Sequence, residues 1–126
     1  MATKILSVDD SATMRRIVGR VVATLGMEFV EASNGLEALE VLEHQSADIS
    51  LVVLDVNMPE MDGHELLLAM KKEPRFQSIP VMMLTTESER GRILEFIRDG
   101  AANYLVKPFG ADDLATKIAA CLGDFF

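Results

Sequence analysis

Short apolar segments alternate with longer segments of helical periodicity along the whole chain. The short segments, which have the length and apolar content of strands, lie at residues 4–8, 27–32, 49–54, 81–84 and 102–106. The longer segments, whose spacing of apolar residues predicts helices, lie at residues 12–25, 35–43, 63–72, 89–99 and 111–122. Five strands that alternate with five helices indicate βαβ units and a parallel sheet with helices on both faces.

The ends of the helical segments carry residues that start or stop helices. Ser11 can cap the first helix and Gly26 can end it, while Asn34 and Asp62 can cap the second and third. The first helical segment has one continuous apolar stripe, made of Met14, Ile17, Val18, Val21, Val22 and Leu25. Because crossovers between parallel strands are right-handed, the pattern predicts one doubly wound α/β domain over residues 1–126.

Composition agrees with a single globular domain and excludes several functions. Of the 126 residues, 49% are hydrophobic and 25% are charged. The formal net charge of −8 disfavours nucleic acids and anionic membrane surfaces as partners. No apolar run is long enough to span a bilayer, and no secretory signal precedes the first strand. Cys121 is the single cysteine, so no internal disulfide can form and we expect a reducing, cytoplasmic environment.

Chemically active residues follow four of the five predicted strands. Asp9 and Asp10 follow the first strand, Asp55 the third, Thr85 the fourth and Lys107 the fifth. The carboxyl ends of parallel strands meet at one edge of a sheet, where doubly wound folds bind their ligands. The sequence therefore predicts that three carboxylates, a hydroxyl and a lysine converge at that edge.

This combination of side chains suits a phosphoryl group and a hard divalent cation. The three carboxylates would repel one another unless a counter-ion were present, and Mg²⁺ prefers a few carboxylates together with water and phosphate oxygens; Mn²⁺ is the alternative. Asp55, at the end of the most apolar strand, is the expected nucleophile. Lys107 would neutralise phosphate oxygens, and Thr85 would donate a hydrogen bond to one of them.

Each of these residues also has an ordinary structural interpretation when it is considered alone. An Asp-Asp pair before a helix is commonly a cap, an Asp after a strand a turn residue, and a Lys-Pro pair a solvated loop. The ordered set after four strands favours the functional interpretation over these three. His44 and His64 are isolated in the sequence, and we interpret both as solvated surface residues.

The chain resembles a response regulator receiver domain from end to end. The matching segments are Ile5-Leu6-Ser7-Val8-Asp9-Asp10, Leu54-Asp55-Val56-Asn57-Met58-Pro59, Met61-Asp62-Gly63, Thr85 and Tyr104-Leu105-Val106-Lys107-Pro108-Phe109. This resemblance implies a flavodoxin-like fold with strand order 2-1-3-4-5. It also implies that a histidine kinase donates a phosphoryl group to the domain.

The resemblance further implies a role for each matching site residue. Asp55 corresponds to the phosphoacceptor, and Asp9, Asp10, Asp55 and the backbone carbonyl of Asn57 correspond to the ligands of Mg²⁺. Lys107 corresponds to the lysine that contacts the phosphate. Thr85 and Tyr104 correspond to the switch residues that respond to phosphorylation. The Lys107-Pro108 bond corresponds to a cis peptide of the family.

Among receivers, the chain is most similar to stand-alone chemotaxis regulators, on the basis of residues 11–18, Asn57 and Glu87. Asn57 and Glu87 resemble the polar pair that tunes dephosphorylation, and Thr86 is bulkier than the small residue usual at its position. The fourth helical segment carries Ile93, Leu94, Phe96 and Ile97, which either all belong to the core or in part form a surface with Tyr104 and the last helix. We expect a monomer that binds a downstream protein on this face, formed by the fourth helix, fifth strand and fifth helix. A separate phosphatase is a further expected partner, and the only catalysis expected is of the domain's own phosphorylation and dephosphorylation.

Three other functions are compatible with parts of the pattern. A phosphate shuttle or sink would share the same site and differ only in output. An aspartyl-phosphate phosphatase would need an acid two residues after its nucleophile, where this chain has Asn57. A flavin carrier would need a phosphate loop after the first strand, where Asp9 and Asp10 would repel the phosphate.

Overall fold

The computed structural model describes residues 3–123 as a five-stranded parallel sheet with helices on both faces. The strands are β1 (Lys4–Val8), β2 (Glu28–Ala32), β3 (Ile49–Asp55), β4 (Val81–Thr85) and β5 (Asn103–Val106). The helices are α1 (Ala12–Thr24), α2 (Gly35–Gln45), α3 (Gly63–Lys72), α4 (Ile93–Arg98) and α5 (Ala111–Leu122). The strand order is β2-β1-β3-β4-β5, which confirms the predicted doubly wound, flavodoxin-like topology.

Two apolar clusters, one on each face of the sheet, form the core. The cluster beneath α2, α3 and α4 contains fully buried side chains such as Leu42, Leu66 and Phe96. The cluster beneath α1 and α5 contains Val22 and Ile118, both also fully buried. β3 supplies side chains to both clusters, which is why nearly its whole sequence is apolar.

The predicted helix starts are confirmed where a side chain caps the helix. The side chains of Ser11, Asn34 and Asp62 accept hydrogen bonds from the backbone N–H three residues later. The stripe predicted on α1 is only partly buried, because Ile17 and Leu25 lie at its edge and remain 37% exposed. No helix in residues 3–123 is long and apolar enough to cross a membrane.

The fourth helix differs from its prediction. A helix was expected over residues 89–99, but a 3₁₀ segment occupies Glu87–Arg92 and α4 covers only Ile93–Arg98. No side chain caps either element. Gly91 disfavours regular helix, and at the start of the segment the hydroxyl of Thr86 hydrogen-bonds with the hydroxyl of Ser88 and with the carboxylate of Glu89.

Candidate functional site

The predicted residues meet at the carboxyl edge of the sheet. Asp55 and Thr85 are the last residues of β3 and β4, while Asp9 and Lys107 directly follow β1 and β5. Carboxylate oxygens of Asp9, Asp10 and Asp55 lie within 4.8 Å of one another. Topology alone explains this convergence, because four neighbouring parallel strands end side by side.

Lys107 is the cation of the cluster. Its Nζ donates to Oδ1 of Asp55 at 2.8 Å and lies 3.5 Å from Oδ2 of Asp9. Both aspartates are almost completely buried, whereas Asp10 is exposed to solvent. The peptide bond between Lys107 and Pro108 is cis, as the family resemblance implies. The backbone N–H of Lys107 donates to the carbonyl of Thr85 at 2.7 Å and thereby joins the ends of β4 and β5.

Asp9 is held in place by the start of α1. The backbone N–H of Ser11 donates to Oδ1 of Asp9 at 2.9 Å. Arg15, one turn into the helix, donates from Nη1 to the carbonyl of Asp9 at 2.6 Å and from Nε to Glu31 at 2.7 Å. Because Oδ1 is bonded to the backbone, Asp9 points its other oxygen, Oδ2, towards Lys107.

Burial sets the ionisation of these groups. Desolvation, assisted by the charges of Asp9 and Asp10, raises the pKa of Asp55 to about 6 against the opposing effect of Lys107. Desolvation also raises the pKa of Asp9. Burial lowers the pKa of Lys107, but the hydrogen bond that Lys107 donates to Asp55 and the charges of the neighbouring carboxylates outweigh it, so the pKa lies above its ordinary value. Asp55 and Lys107 are therefore both charged at neutral pH, with Asp55 close to its titration range.

Gly63 allows α3 to begin directly beneath Asp55. A Cβ at this position would overlap the carbonyl oxygen of Asp55, so no other residue fits without a shift of the backbone. The N–H of Gly63 donates to the carbonyl of Val56 at 2.9 Å, and Asp62 and Glu65 complete a capping box. The loop that carries Asn57 is thus fixed at both ends.

Two hydroxyls are buried without a hydrogen-bond partner among the described residues. They are Oγ of Ser7 and Oγ1 of Thr85, and both residues are fully buried. An unsatisfied buried hydroxyl costs free energy, and Thr85 ends the strand next to the one that carries Asp55. Thr85 therefore has a free donor at the edge where the carboxylates gather.

Tyr104 lies two strands from Asp55 and packs against the cluster beneath α2, α3 and α4. Its ring is partly buried, and Nζ of Lys117 on α5 lies 5.1 Å from the ring centroid. The ring is therefore in contact with both the core and α5, at the border between the sheet and the surface.

The side chain of Asn57 makes its hydrogen bond with Glu89, a residue to which the sequence pattern assigned no role. Nδ2 of Asn57 donates to Oε1 of Glu89 at 2.8 Å. Glu87 is 69% exposed and is bound to Arg90 at 2.9 Å instead. Thr86 donates its hydroxyl to the same oxygen of Glu89 at 2.8 Å. Within the 3₁₀ segment, Glu89 and not Glu87 thus lies against the loop after β3.

His64 was expected to be solvated, and the structure shows that this is wrong. Its Nε2 lies 2.7 Å from Oδ2 of Asp99, and its Nδ1 lies 3.2 Å from Nη2 of Arg92. Its ring packs edge-on against Phe96, whose other contacts include the guanidinium of Arg92. No sequence motif pointed to this cluster, because its members come from α3, the 3₁₀ segment and the turn after α4. His44 is exposed, as expected.

Comparison with known proteins agrees with this geometry. The family model described as "Response regulator receiver domain" matches residues 5–119. The chain is 42% identical over 121 residues to chemotaxis protein CheY1 of Helicobacter pylori, covering 95% of this chain and 97% of that protein. It is also 42% identical to chemotaxis protein CheY of Pseudomonas aeruginosa over 116 residues, which cover 91% and 92% of the two chains.

Solved structures give the same result for the fold. Chemotaxis protein CheY4 of Vibrio cholerae superposes with a TM-score of 0.87 at 34% identity, covering 97% of this chain and all of that one. A response regulator of Chloroflexus aurantiacus superposes with a TM-score of 0.89 at 27% identity, covering 98% of this chain and 99% of that one. The chain belongs to the response regulator receiver domain family.

Proposed function

We propose that this chain is a single-domain response regulator that accepts a phosphoryl group on Asp55 from a histidine kinase. The observation that carries this proposal is the contact between Oδ1 of Asp55 and Nζ of Lys107 at 2.8 Å, beside the carboxylates of Asp9 and Asp10. A buried carboxylate with a cation beside it and further acids around it is poised for phosphoryl transfer.

The reaction follows from the ionisation of Asp55. An oxygen of its carboxylate attacks the phosphorus of a phosphohistidine, an O–P bond forms, and the P–N bond breaks as the imidazole leaves. Because the pKa of Asp55 is about 6, the nucleophilic carboxylate form predominates at neutral pH. Lys107 neutralises charge on the transferred group, and the free hydroxyl of Thr85 is a donor for one of its oxygens.

The donor set fits a hard divalent cation, namely Mg²⁺ or Mn²⁺. Three carboxylates lie together, and Lys107 balances the charge of only one of them. Asp9, Asp10, Asp55 and the backbone carbonyl of Asn57 are the residues that would hold the ion. When bound, Mg²⁺ supplies positive charge for the phosphoryl oxygens and relieves repulsion among the carboxylates.

Output is proposed to be a change in protein binding on the face formed by α4, β5 and α5. Leu94 and Ile97 on α4 are 82% and 40% exposed, so the apolar stripe of this helix is wider than the core requires. Tyr104 lies on β5 in the same face, and Thr85 on the adjacent strand can follow the new phosphoryl group. Movement of Thr85 and Tyr104 would link the site to this surface.

The pathway is inferred to be chemotaxis, because the relatives of similar length from Helicobacter pylori and Pseudomonas aeruginosa are named chemotaxis proteins. The domain would catalyse its own phosphorylation and dephosphorylation, with Asn57 near the path of the attacking water. A histidine kinase is the proposed donor, a downstream protein the proposed target and a phosphatase a further partner.

The test compares the native chain with Asp55→Asn and a matched control, Asp112→Asn, in which an exposed aspartate of α5 is changed. Each is incubated with acetyl phosphate and Mg²⁺, with and without EDTA, and labelling is measured on phosphate-affinity gels. We expect labelling of the native chain and the control in Mg²⁺ alone, and none of Asp55→Asn. Equal labelling of Asp55→Asn would place the acceptor at another residue.

A further inference from the structure

Glu89 connects two loops at the edge of the phosphorylation site. A single carboxylate oxygen, Oε1, accepts hydrogen bonds from Nδ2 of Asn57 and from the hydroxyl of Thr86, both at 2.8 Å. Asn57 belongs to the loop after β3 and lies two residues beyond Asp55, whereas Thr86 directly follows Thr85 at the end of β4. Glu89 therefore holds together the two segments that leave the site.

The chemistry of this contact fixes the orientation of the Asn57 side chain. An ionised carboxylate can only accept hydrogen bonds, so Asn57 must turn its NH₂ group towards Glu89. The carbonyl oxygen of the carboxamide, Oδ1, is then directed away from Glu89 and remains available as an acceptor. Without Glu89, the carboxamide could rotate and present either end.

Glu87 cannot perform this task in the observed arrangement. Its Oε2 accepts from Nε and Nη2 of Arg90 at 3.2 and 2.9 Å, and its side chain is largely exposed. Among the described residues it makes no hydrogen bond to Asn57. Glu89 lies two residues after Glu87 in the 3₁₀ segment Glu87–Arg92. The geometry of this segment directs Glu89, and not Glu87, towards the loop after β3.

We propose that Glu89 is a positioning residue for hydrolysis of the acyl phosphate, acting through Asn57; this inference rests on the proposed phosphorylation of Asp55. The oxygen of a water molecule bonds to phosphorus while Oδ1 of Asn57 accepts a hydrogen bond from that water. The bond between phosphorus and Asp55 breaks, Asp55 recovers its carboxylate, and the protons of the water remain on the released phosphate.

The test measures hydrolysis after a single loading. Native chain, Glu89→Ala, Glu89→Gln and Glu87→Ala are phosphorylated with acetyl phosphate in Mg²⁺, the donor is removed, and the remaining acyl phosphate is followed over time. We expect Glu89→Ala to lower the first-order rate constant by about three- to tenfold, as loss of one orienting hydrogen bond implies. Glu89→Gln should restore a near-native rate, because its amide oxygen can accept the same two hydrogen bonds. Glu87→Ala should have a much smaller effect than Glu89→Ala.

A double-mutant comparison separates positioning from a general structural effect. If Glu89 acts through Asn57, the rate constant of Asn57→Ala should fall by a similar factor and the pair of changes should not lower it further. A native or increased rate in Glu89→Ala would overturn the inference, as would equal loss in Glu89→Ala and Glu89→Gln, which would indicate an effect of charge. A larger loss in Glu87→Ala would also overturn it. Absence of label on Asp55 in the native chain would instead overturn the proposed function itself.

Discussion

Asp55 has an environment that favours reactivity over stability. The residue is 4% exposed, with two further carboxylates nearby and a single lysine as partner. Burial therefore raises its pKa to about 6, whereas an aspartate in an unfolded chain titrates near its ordinary value of 3.8. The charged nucleophile that the proposed reaction requires is, for the metal-free fold, a source of instability.

This raised pKa predicts a pH dependence of stability. Between about pH 4 and pH 7 the folded, metal-free chain binds more protons at Asp55 than the unfolded chain, so its free energy of unfolding increases as the pH falls through this range. The contribution at Asp55 is on the order of 3 kcal/mol. Urea denaturation in EDTA at several pH values would measure it, with Asp55→Asn as the comparison.

Asp55→Asn lacks the titrating group, so it should be more stable than the native chain at pH 7 and approach it at pH 4. Groups with lowered pKa values, such as Glu43 and Glu73, oppose the trend but act equally in both chains. The difference between the two chains therefore reports Asp55 together with its charge coupling to Asp9 and Lys107. Parallel curves for the two chains would show that Asp55 has the same pKa in the folded and unfolded states.

The residues that sequence could identify are those whose positions depend on topology. Asp9, Asp55, Thr85 and Lys107 end or follow parallel strands, so a correct alternation of strands and helices is enough to bring them together. Glu89 could not be identified in this way. Its contact with Asn57 depends on the 3₁₀ geometry of the segment after β4, which has fewer residues per turn than an α-helix. The apolar periodicity predicted a regular α-helix from residue 89.

At the scale of elements, α4 is the least regular part of the fold. It has six residues, follows a 3₁₀ segment and lacks a side-chain cap. A helix so short gains little from its own hydrogen bonds, so its position depends on contacts with its neighbours. Phe96 supplies the apolar contact, and His64 of α3 supplies a polar one through Asp99 and Arg92.

This dependence predicts that His64 stabilises the docking of α4. His64→Ala removes a 2.7 Å hydrogen bond to Asp99 and the edge-on contact with Phe96. We expect the free energy of unfolding to fall by about 1–2 kcal/mol, measured by urea denaturation at pH 7. Amide hydrogen exchange in this variant should also be accelerated more in α4 than in α1.

The matched control is His44→Ala on α2, where the histidine is exposed and makes no side-chain hydrogen bond within residues 3–123. Its free energy of unfolding should change by less than about 0.5 kcal/mol. Equal stabilities for the two variants, or uniform exchange along the chain in His64→Ala, would show that α4 is held by Phe96 alone.

At the scale of the whole molecule, the two apolar clusters provide the stability and the carboxyl edge of the sheet reduces it. The clusters enclose the sheet from both faces, and their residues in the strands follow the predicted apolar segments, whereas loop residues such as Met58 and Phe76 had no periodic signal. The site lies outside them and gathers three of the acids of a chain whose formal net charge is −8. Any cation bound there should therefore stabilise the entire fold, because folding and binding are linked.

This linkage predicts that Mg²⁺ raises the melting temperature of the native chain and that Asp10 is required for the effect. At a hundred times its dissociation constant, a ligand that binds only the folded state adds about 2.7 kcal/mol to the free energy of unfolding. Asp10→Ala should have a higher melting temperature than the native chain in EDTA, because one repelling charge is gone, yet its melting temperature should rise little on addition of Mg²⁺.

The matched control is Asp112→Ala, which removes an exposed aspartate from α5 and should respond to Mg²⁺ as the native chain does. NaCl at matched ionic strength corrects for screening. If Asp10→Ala gained as much from Mg²⁺ as the native chain, the cation would bind away from the cluster of Asp9, Asp10 and Asp55.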